Sequence, residues 1–214
     1  MKLFSFLENK HIDEHSFFVM SNVTLKDIAF HNFDHGYLSH YSALEKFGFV
    51  NASKRSVYLT CDFKFYREKG FRIFVDNKTI FKMVCIKEKS KNSEIGIIRK
   101  PEISRYPFTD LERTLIDCIV YPQFSGGLLI VQEVFEKAKY FIDIKKIIQY
   151  VDVMNIDFPI YQLIGYLLTR SGGNIKNIHF LEKKISLFDY YVKYCSNERE
   201  YCPKWKVYYP KFNF

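Results

Sequence analysis

Little in this chain interrupts or staples a fold. Only nine Gly and six Pro occur in 214 residues, too few for a collagen-like or low-complexity protein. Five Cys, at 61, 85, 118, 195 and 202, form an odd and scattered set, with three of them inside apolar runs. That usage points to reduced thiols in a cytoplasm rather than to a disulfide framework. No run approaches the roughly 18 consecutive apolar residues that a membrane helix needs. Lys2 and Glu8 come too early to leave room for the apolar region of a signal peptide. The expected location is the cytoplasm, with no membrane partner.

Catalytic signatures are equally scarce. Neither phosphate-cradling pattern, Gly-x-x-x-x-Gly-Lys-Ser/Thr or Gly-x-Gly-x-x-Gly, occurs, and no Gly-x-Ser-x-Gly elbow is present. His11-Ile12-Asp13-Glu14-His15 has the H-x-x-E-H spacing of inverted zinc peptidases. On a helix, His11 and His15 would share a face, with Glu14 as general base. The flanks lack the long amphipathic helix that such a site needs. His31, His35 and His40 are spaced by four and five with no Cys nearby, which suits hydrogen-bonded polar or surface positions better than metal ligation. A metal-dependent nuclease would want carboxylates and a Lys at the ends of paired strands. Asp62, Lys64, Asp76 and Lys78 offer those residue types, and turn chemistry explains them equally well. The expectation is a protein that is not an enzyme and that uses no metal or cofactor.

What the chain does have is apolar mass and positive charge. It is 48% hydrophobic and 26% charged, enough to bury a core. The net charge of +8 is unevenly spread: residues 1–50 carry 4 basic and 6 acidic side chains, residues 51–108 carry 14 and 6, and residues 109–214 carry 14 and 12. The middle segment therefore holds nearly all the excess, and an anionic partner would feel that field first. A well-solvated sheet face would produce the same count.

The hydrophobic pattern divides near Pro107. Before it, residues 57–61, 72–75, 79–86 and 94–98 are β-rich runs separated by polar clusters, as in a mostly antiparallel sheet. After it the period turns helical. Thr109-Asp110-Leu111-Glu112 fits a capping box, and Leu111, Leu115, Cys118 and Ile119 form one face. Arg113 can pair with Asp110 or Asp117 on that helix. Gly126-Gly127 introduces a helix over about 128–139, and Asp143 caps another carrying Ile144, Ile147 and Val151. A stripe from Ile160 to Leu168 follows Pro159 and stops at Gly172-Gly173. A last helix is expected over about 175–194, and residues 205–209 resemble a closing strand. The fold class is thus α+β: a mostly antiparallel, basic sheet over about 57–107, an all-helical C-terminal half over about 109–194, and a closing strand. Residues 37–214 are expected to form one domain, preceded by a short extension over 1–36.

Two segments carry a resemblance to a known family. Tyr37-Leu38-Ser39-His40-Tyr41-Ser42-Ala43-Leu44 reads as a small capped helix that stops at Gly48. Phe108-Thr109-Asp110-Leu111-Glu112-Arg113-Thr114-Leu115-Ile116-Asp117 opens the helical half. In sequence and in order these look like elements of the C-terminal domain of the AbiEi family, the antitoxins of type IV toxin–antitoxin and abortive-infection systems. The resemblance spans about residues 37–209. It implies a phage-defence antitoxin that opposes a nucleotidyltransferase-like toxin, with direct contact between the two not required. Family members commonly carry an N-terminal winged helix-turn-helix that represses their own operon. Here only about 36 residues precede the first matching segment, too few for a complete winged helix, so DNA or RNA contact is expected from the basic 51–108 region. Arg67, Lys69, Arg72, Lys78 and Lys82 are the candidate contacts, with Arg113 as a further residue able to face a partner. The alternative function is that of a DNA-binding transcriptional regulator of its own operon.

Overall fold

A computed structural model describes residues 7–12, 15–20, 24, 26–27, 30, 36–53, 56–61, 71–75, 79–87, 94–156, 158–170, 172, 174–193 and 198–211. For the strands within 7–20 and 71–87 it describes the backbone. The fold is α+β, and the chain divides into two compact units where one domain is expected from sequence. The first comprises Met1–Lys89 with Ile97–Asp110, and the second Ser90–Gly96 with Leu111–Phe214.

The first unit is built on a mixed sheet. Its strands are β1 (Leu7–Ile12), β2 (His15–Met20), β3 (Tyr37–Leu38), β4 (Ser56–Cys61), β5 (Phe71–Val75), β6 (Thr79–Lys87), β7 (Ile97–Ile98) and β8 (Phe108–Thr109). Their order is β2-β1-β5-β6-β4-β3-β8-β7. Most neighbours run antiparallel, as the sequence suggests; β4 with β6 and β3 with β8 run parallel. Residues 7–20, expected as part of an extension, instead supply β1 and β2, and β1 pairs onto β5. His11 and His15 of the H-x-x-E-H segment therefore lie on paired antiparallel strands: His11 pairs with Ser16 and Ile12 with His15. The helix that would put both His on one zinc-binding face does not form. Helix α1 (His40–Lys46) follows β3 at once, and Gly48, at φ +72°, ends it in the left-handed region that glycine tolerates.

The second unit is mainly helical: α2 (Leu111–Val120), α3 (Leu128–Ala138), α4 (Ile144–Met154), α5 (Ile160–Thr169) and the one-turn α6 (His179–Glu182). Asp143 caps α4 as expected, its carboxylate accepting from the Lys145 and Lys146 amides. The α5 stripe is buried from Ile160 to Leu168. A small sheet, in the order β10-β11-β9, closes the unit: β9 (Tyr190–Tyr191), β10 (Arg199–Cys202) and β11 (Val207–Pro210). The long helix expected over 175–194 is replaced by α6 and β9. Of the expected apolar stripe Leu181 is wholly buried, Ile178 and Ile185 are half-buried and Phe188 is 77% exposed, so only its first part packs inward. The helical path ends after Glu182, and from Ser186 onward the wholly buried Gln162 of α5 holds the chain. The Gln162 amide donates to Phe188 O and Lys206 O at 3.2 Å each, and its carbonyl oxygen accepts from Ser186 N at 3.0 Å. Side-chain partners for the backbone thus stand in for helical ones.

Candidate functional site

The basic candidates are only partly placed. Arg67, Lys69 and Lys78 lie outside the described residues. Arg72 of β5 and Lys82 of β6 are direct cross-strand partners in the antiparallel register, so two of the five candidates occupy one place in the first unit's sheet.

Arg113 does not face a partner. It is 2% exposed, its Nε donates to Asp117 Oδ1 at 2.8 Å, and its NH1 donates to Ile95 O at 2.8 Å. The expected i,i+4 pair with Asp117 forms, and burial removes Arg113 as a contact residue. Charge this deep is retained only when paired and hydrogen-bonded. Glu112 also departs from the capping box. Its carboxylate accepts from the Asp143 amide at 3.0 Å and from Lys146 Nζ at 2.8 Å, joining the start of α2 to the start of α4. Cys118, fully buried on the same helix, has its thiol pushed far up by desolvation, which leaves it inert as a nucleophile.

The Tyr37–Leu44 segment is a set of inward ties. Tyr37 and Leu38 form a strand, Ser39 is the N-cap residue of α1, and the helix begins at His40 with φ +50°. Ser39 Oγ makes no capping bond. It accepts from Thr60 Oγ1 at 2.8 Å and lies 2.9 Å from His40 Nδ1. Ser42 Oγ accepts from the Tyr58 amide at 2.9 Å, and Glu45 accepts from the Ser53 amide at 2.7 Å and from Lys26 at 3.0 Å. These side chains fasten α1 to β4 and to the loop before it. Across β3 the same segment reaches the second motif: Leu38 pairs with Phe108, and its amide donates to Pro107 O at 2.8 Å. Lys46 reaches over the Phe108 ring at 5.8 Å, and desolvation, followed by the charge of Lys26, lowers its pKa.

In the second unit an apolar cavity of about 140 Å³ opens between Ile119, Leu128, Phe158, Leu163 and Val192, with Lys193 on its wall. Sequence reasoning missed the outer face of the small sheet. There Tyr191, Tyr208 and Tyr201 lie side by side, one from each strand. The available signal was the alternation of Val207, Tyr208 and Tyr209 in one strand and of Arg199 and Tyr201 in another, period-two patterns that put alternate residues on one face. Among the described residues no group of three or more potential metal ligands comes together, and no helix is long and apolar enough to cross a membrane.

No protein-family model and no curated protein matches the chain. Among solved structures, the crystal structure of the RV2827C protein from Mycobacterium tuberculosis is similar, with a TM-score of 0.56 at 14% sequence identity, covering 81% of this chain and 61% of that one. At that identity the likeness is one of fold. The chain spans about 61% of the length of that neighbour.

Proposed function

We propose that the protein is a non-enzymatic antitoxin of a type IV, AbiE-like phage-defence system, acting in the cytoplasm against a nucleotidyltransferase-like toxin. One observation carries the reading. The two segments that resemble the AbiEi family are separated by more than sixty residues in sequence, yet they meet at the Leu38–Phe108 pairing of the first unit. Their polar residues act as fasteners, Ser39 and Ser42 toward β4 and Arg113 toward Asp117. Residues used in this way serve a particular fold rather than catalysis. The working surface in this reading is the basic sheet, around Arg72 and Lys82.

The test is bacterial growth with the neighbouring nucleotidyltransferase-like gene induced, with and without this chain. Rescue by wild type, and its loss in the Arg72→Glu/Lys82→Glu variant with an unchanged circular dichroism spectrum, is the expected result. A folded wild-type chain that gives no rescue overturns it. The +8 charge balance of residues 51–108 also favours a second reading, a DNA-binding regulator of its own operon. That reading requires promoter binding that weakens steeply with salt and discriminates against unrelated DNA.

A further inference from the structure

The outer face of the three-stranded sheet is a ladder of tyrosines. Tyr191 and Tyr208 stack with ring centroids 4.2 Å apart and planes 8° from parallel; Tyr208 and Tyr201 follow at 4.5 Å and 30°. Tyr191 is 52% and Tyr201 42% exposed. β9 and β10 are the two edges of this sheet, so the ladder runs from one edge to the other and both end rings border solvent. Arg199, exposed and on the same strand as Tyr201, places its guanidinium 6.0 Å from the Tyr191 ring centroid.

We propose that this ladder is a stacking site for single-stranded nucleic acid, with an unpaired base continuing the tyrosine stack and Arg199 meeting a phosphate. The spacing of the rings selects the occupant. Successive rings are already in van der Waals contact, which leaves no slot between them of the kind that proline-rich peptides fill. What such a stack accepts is another flat ring at its end, and every nucleobase offers one. Arg199 supplies a cation at the ladder, and Glu200, the next residue along β10, is engaged by Arg170 NH1 at 2.8 Å and by the Tyr166 hydroxyl. Asp189 keeps a carboxylate beside the ladder, where it accepts from the Tyr201 hydroxyl at 2.9 Å, so Arg199 is the group that would meet the phosphate. The proposal concerns the second unit and does not rest on the antitoxin reading, nor on the basic sheet of the first unit.

The experiment is fluorescence anisotropy of the full chain with labelled 12-nucleotide oligoadenylate RNA and, separately, the same sequence as DNA. Wild type binds at least one of the two; the stronger arm identifies the nucleic acid. Tyr191→Ala and Tyr201→Ala each weaken binding about tenfold, and Tyr191→Phe and Tyr201→Phe retain it, because stacking needs the ring and not the hydroxyl. Arg199→Gln lowers the salt slope by about 0.7, the value for one phosphate on a single strand. Tyr140→Ala, at an exposed tyrosine away from the small sheet, binds as wild type. Emission of the single tryptophan, Trp205, and far-ultraviolet circular dichroism verify that each variant is folded. No binding by wild type overturns the proposal, as do folded Tyr→Ala variants that bind as wild type. A dimer that Tyr201→Ala dissociates overturns it too, making the ladder a self-interface.

Discussion

Gly165 of α5 lies against the indole of Trp205. A methyl group added at Gly165 would fall 2.2 Å from Trp205 Cζ3, closer than any two carbons can approach without displacement. The indole is wholly buried, and its Nε1 donates to Thr169 Oγ1 at 2.7 Å; that hydroxyl in turn donates to Gly165 O at 2.8 Å. Gly165 and Thr169 are one helical turn apart and together form the notch that seats the ring.

Gly165→Ala should therefore destabilise the chain although alanine is the better helix former. The propensity gain of about 1 kcal/mol is outweighed by overpacking that costs roughly 1–3 kcal/mol or more. Because Trp205 is the only tryptophan, denaturant titration followed by its emission reads the loss directly. A variant as stable as wild type would show that the ring has room to move.

Thr169→Val tests the polar half of the same notch. It leaves the buried indole N–H without its acceptor, at a cost of about 1–3 kcal/mol. A lower unfolding midpoint together with a blue-shifted Trp205 emission is expected.

Arg113→Ala should be among the most damaging substitutions in the second unit. It leaves the Asp117 carboxylate buried without its guanidinium, a loss of about 3–5 kcal/mol by analogy with other broken buried pairs. Arg113→Ala/Asp117→Ala should recover part of that loss, since no lone charge then remains. Equal destabilisation in the single and double variants, measured by denaturant unfolding, would rule out this pairing as the source.

Gln162→Leu removes the side chain that holds Ser186 N, Phe188 O and Lys206 O. Each buried group left open costs on the order of 1–3 kcal/mol, less wherever water reaches it, as it does beside the exposed Phe188. Hydrogen exchange at Ser186 and over β9 should accelerate while α2 and α3 stay protected.

Acid should loosen the α4–α5 contact at Asp152. The Tyr161 hydroxyl donates to Asp152 Oδ1 at 2.5 Å and Lys184 Nζ to Oδ2 at 3.0 Å. The hydrogen bond from Tyr161, against some desolvation and aided by Lys184, lowers the Asp152 pKa below its ordinary 3.8. A carboxylate that binds its proton more weakly when folded stabilises the fold above the ordinary value and loses that contribution as pH falls through the folded one. Stability should thus drop below about pH 4, and Asp152→Asn should flatten that limb of the pH profile.

Much of the second unit was legible in the sequence because its signals are local. Asp143 has the side chain that caps a helix, and Ile160, Leu163, Ile164, Leu167 and Leu168 repeat at helical spacing. The extended runs before Pro107 showed as strands for the same reason, through β-branched and aromatic residues between polar clusters. The expected helix over 175–194 failed because an apolar stripe there competes with backbone partners supplied from α5, and Gln162 carries no local mark of that role. The H-x-x-E-H segment likewise matches two geometries, and the pairing of His11 and His15 within β1 and β2 selects the extended one.

The candidate surface divides along the same line. A basic excess in residues 51–108 is a property of composition, visible without any fold. That Arg113 is internal and not displayed depends on the depth of α2, which residue spacing does not encode. That Tyr191, Tyr208 and Tyr201 form one ladder depends on the pairing of three short strands, one pair antiparallel and the other parallel. Sequence by itself determined the helices from Leu111 to Thr169, the extended runs before Pro107 and the charge, since each follows from neighbours along the chain. Tertiary structure alone decided which polar groups are spent inside and which aromatic rings remain outside, since both depend on partners that are distant in sequence.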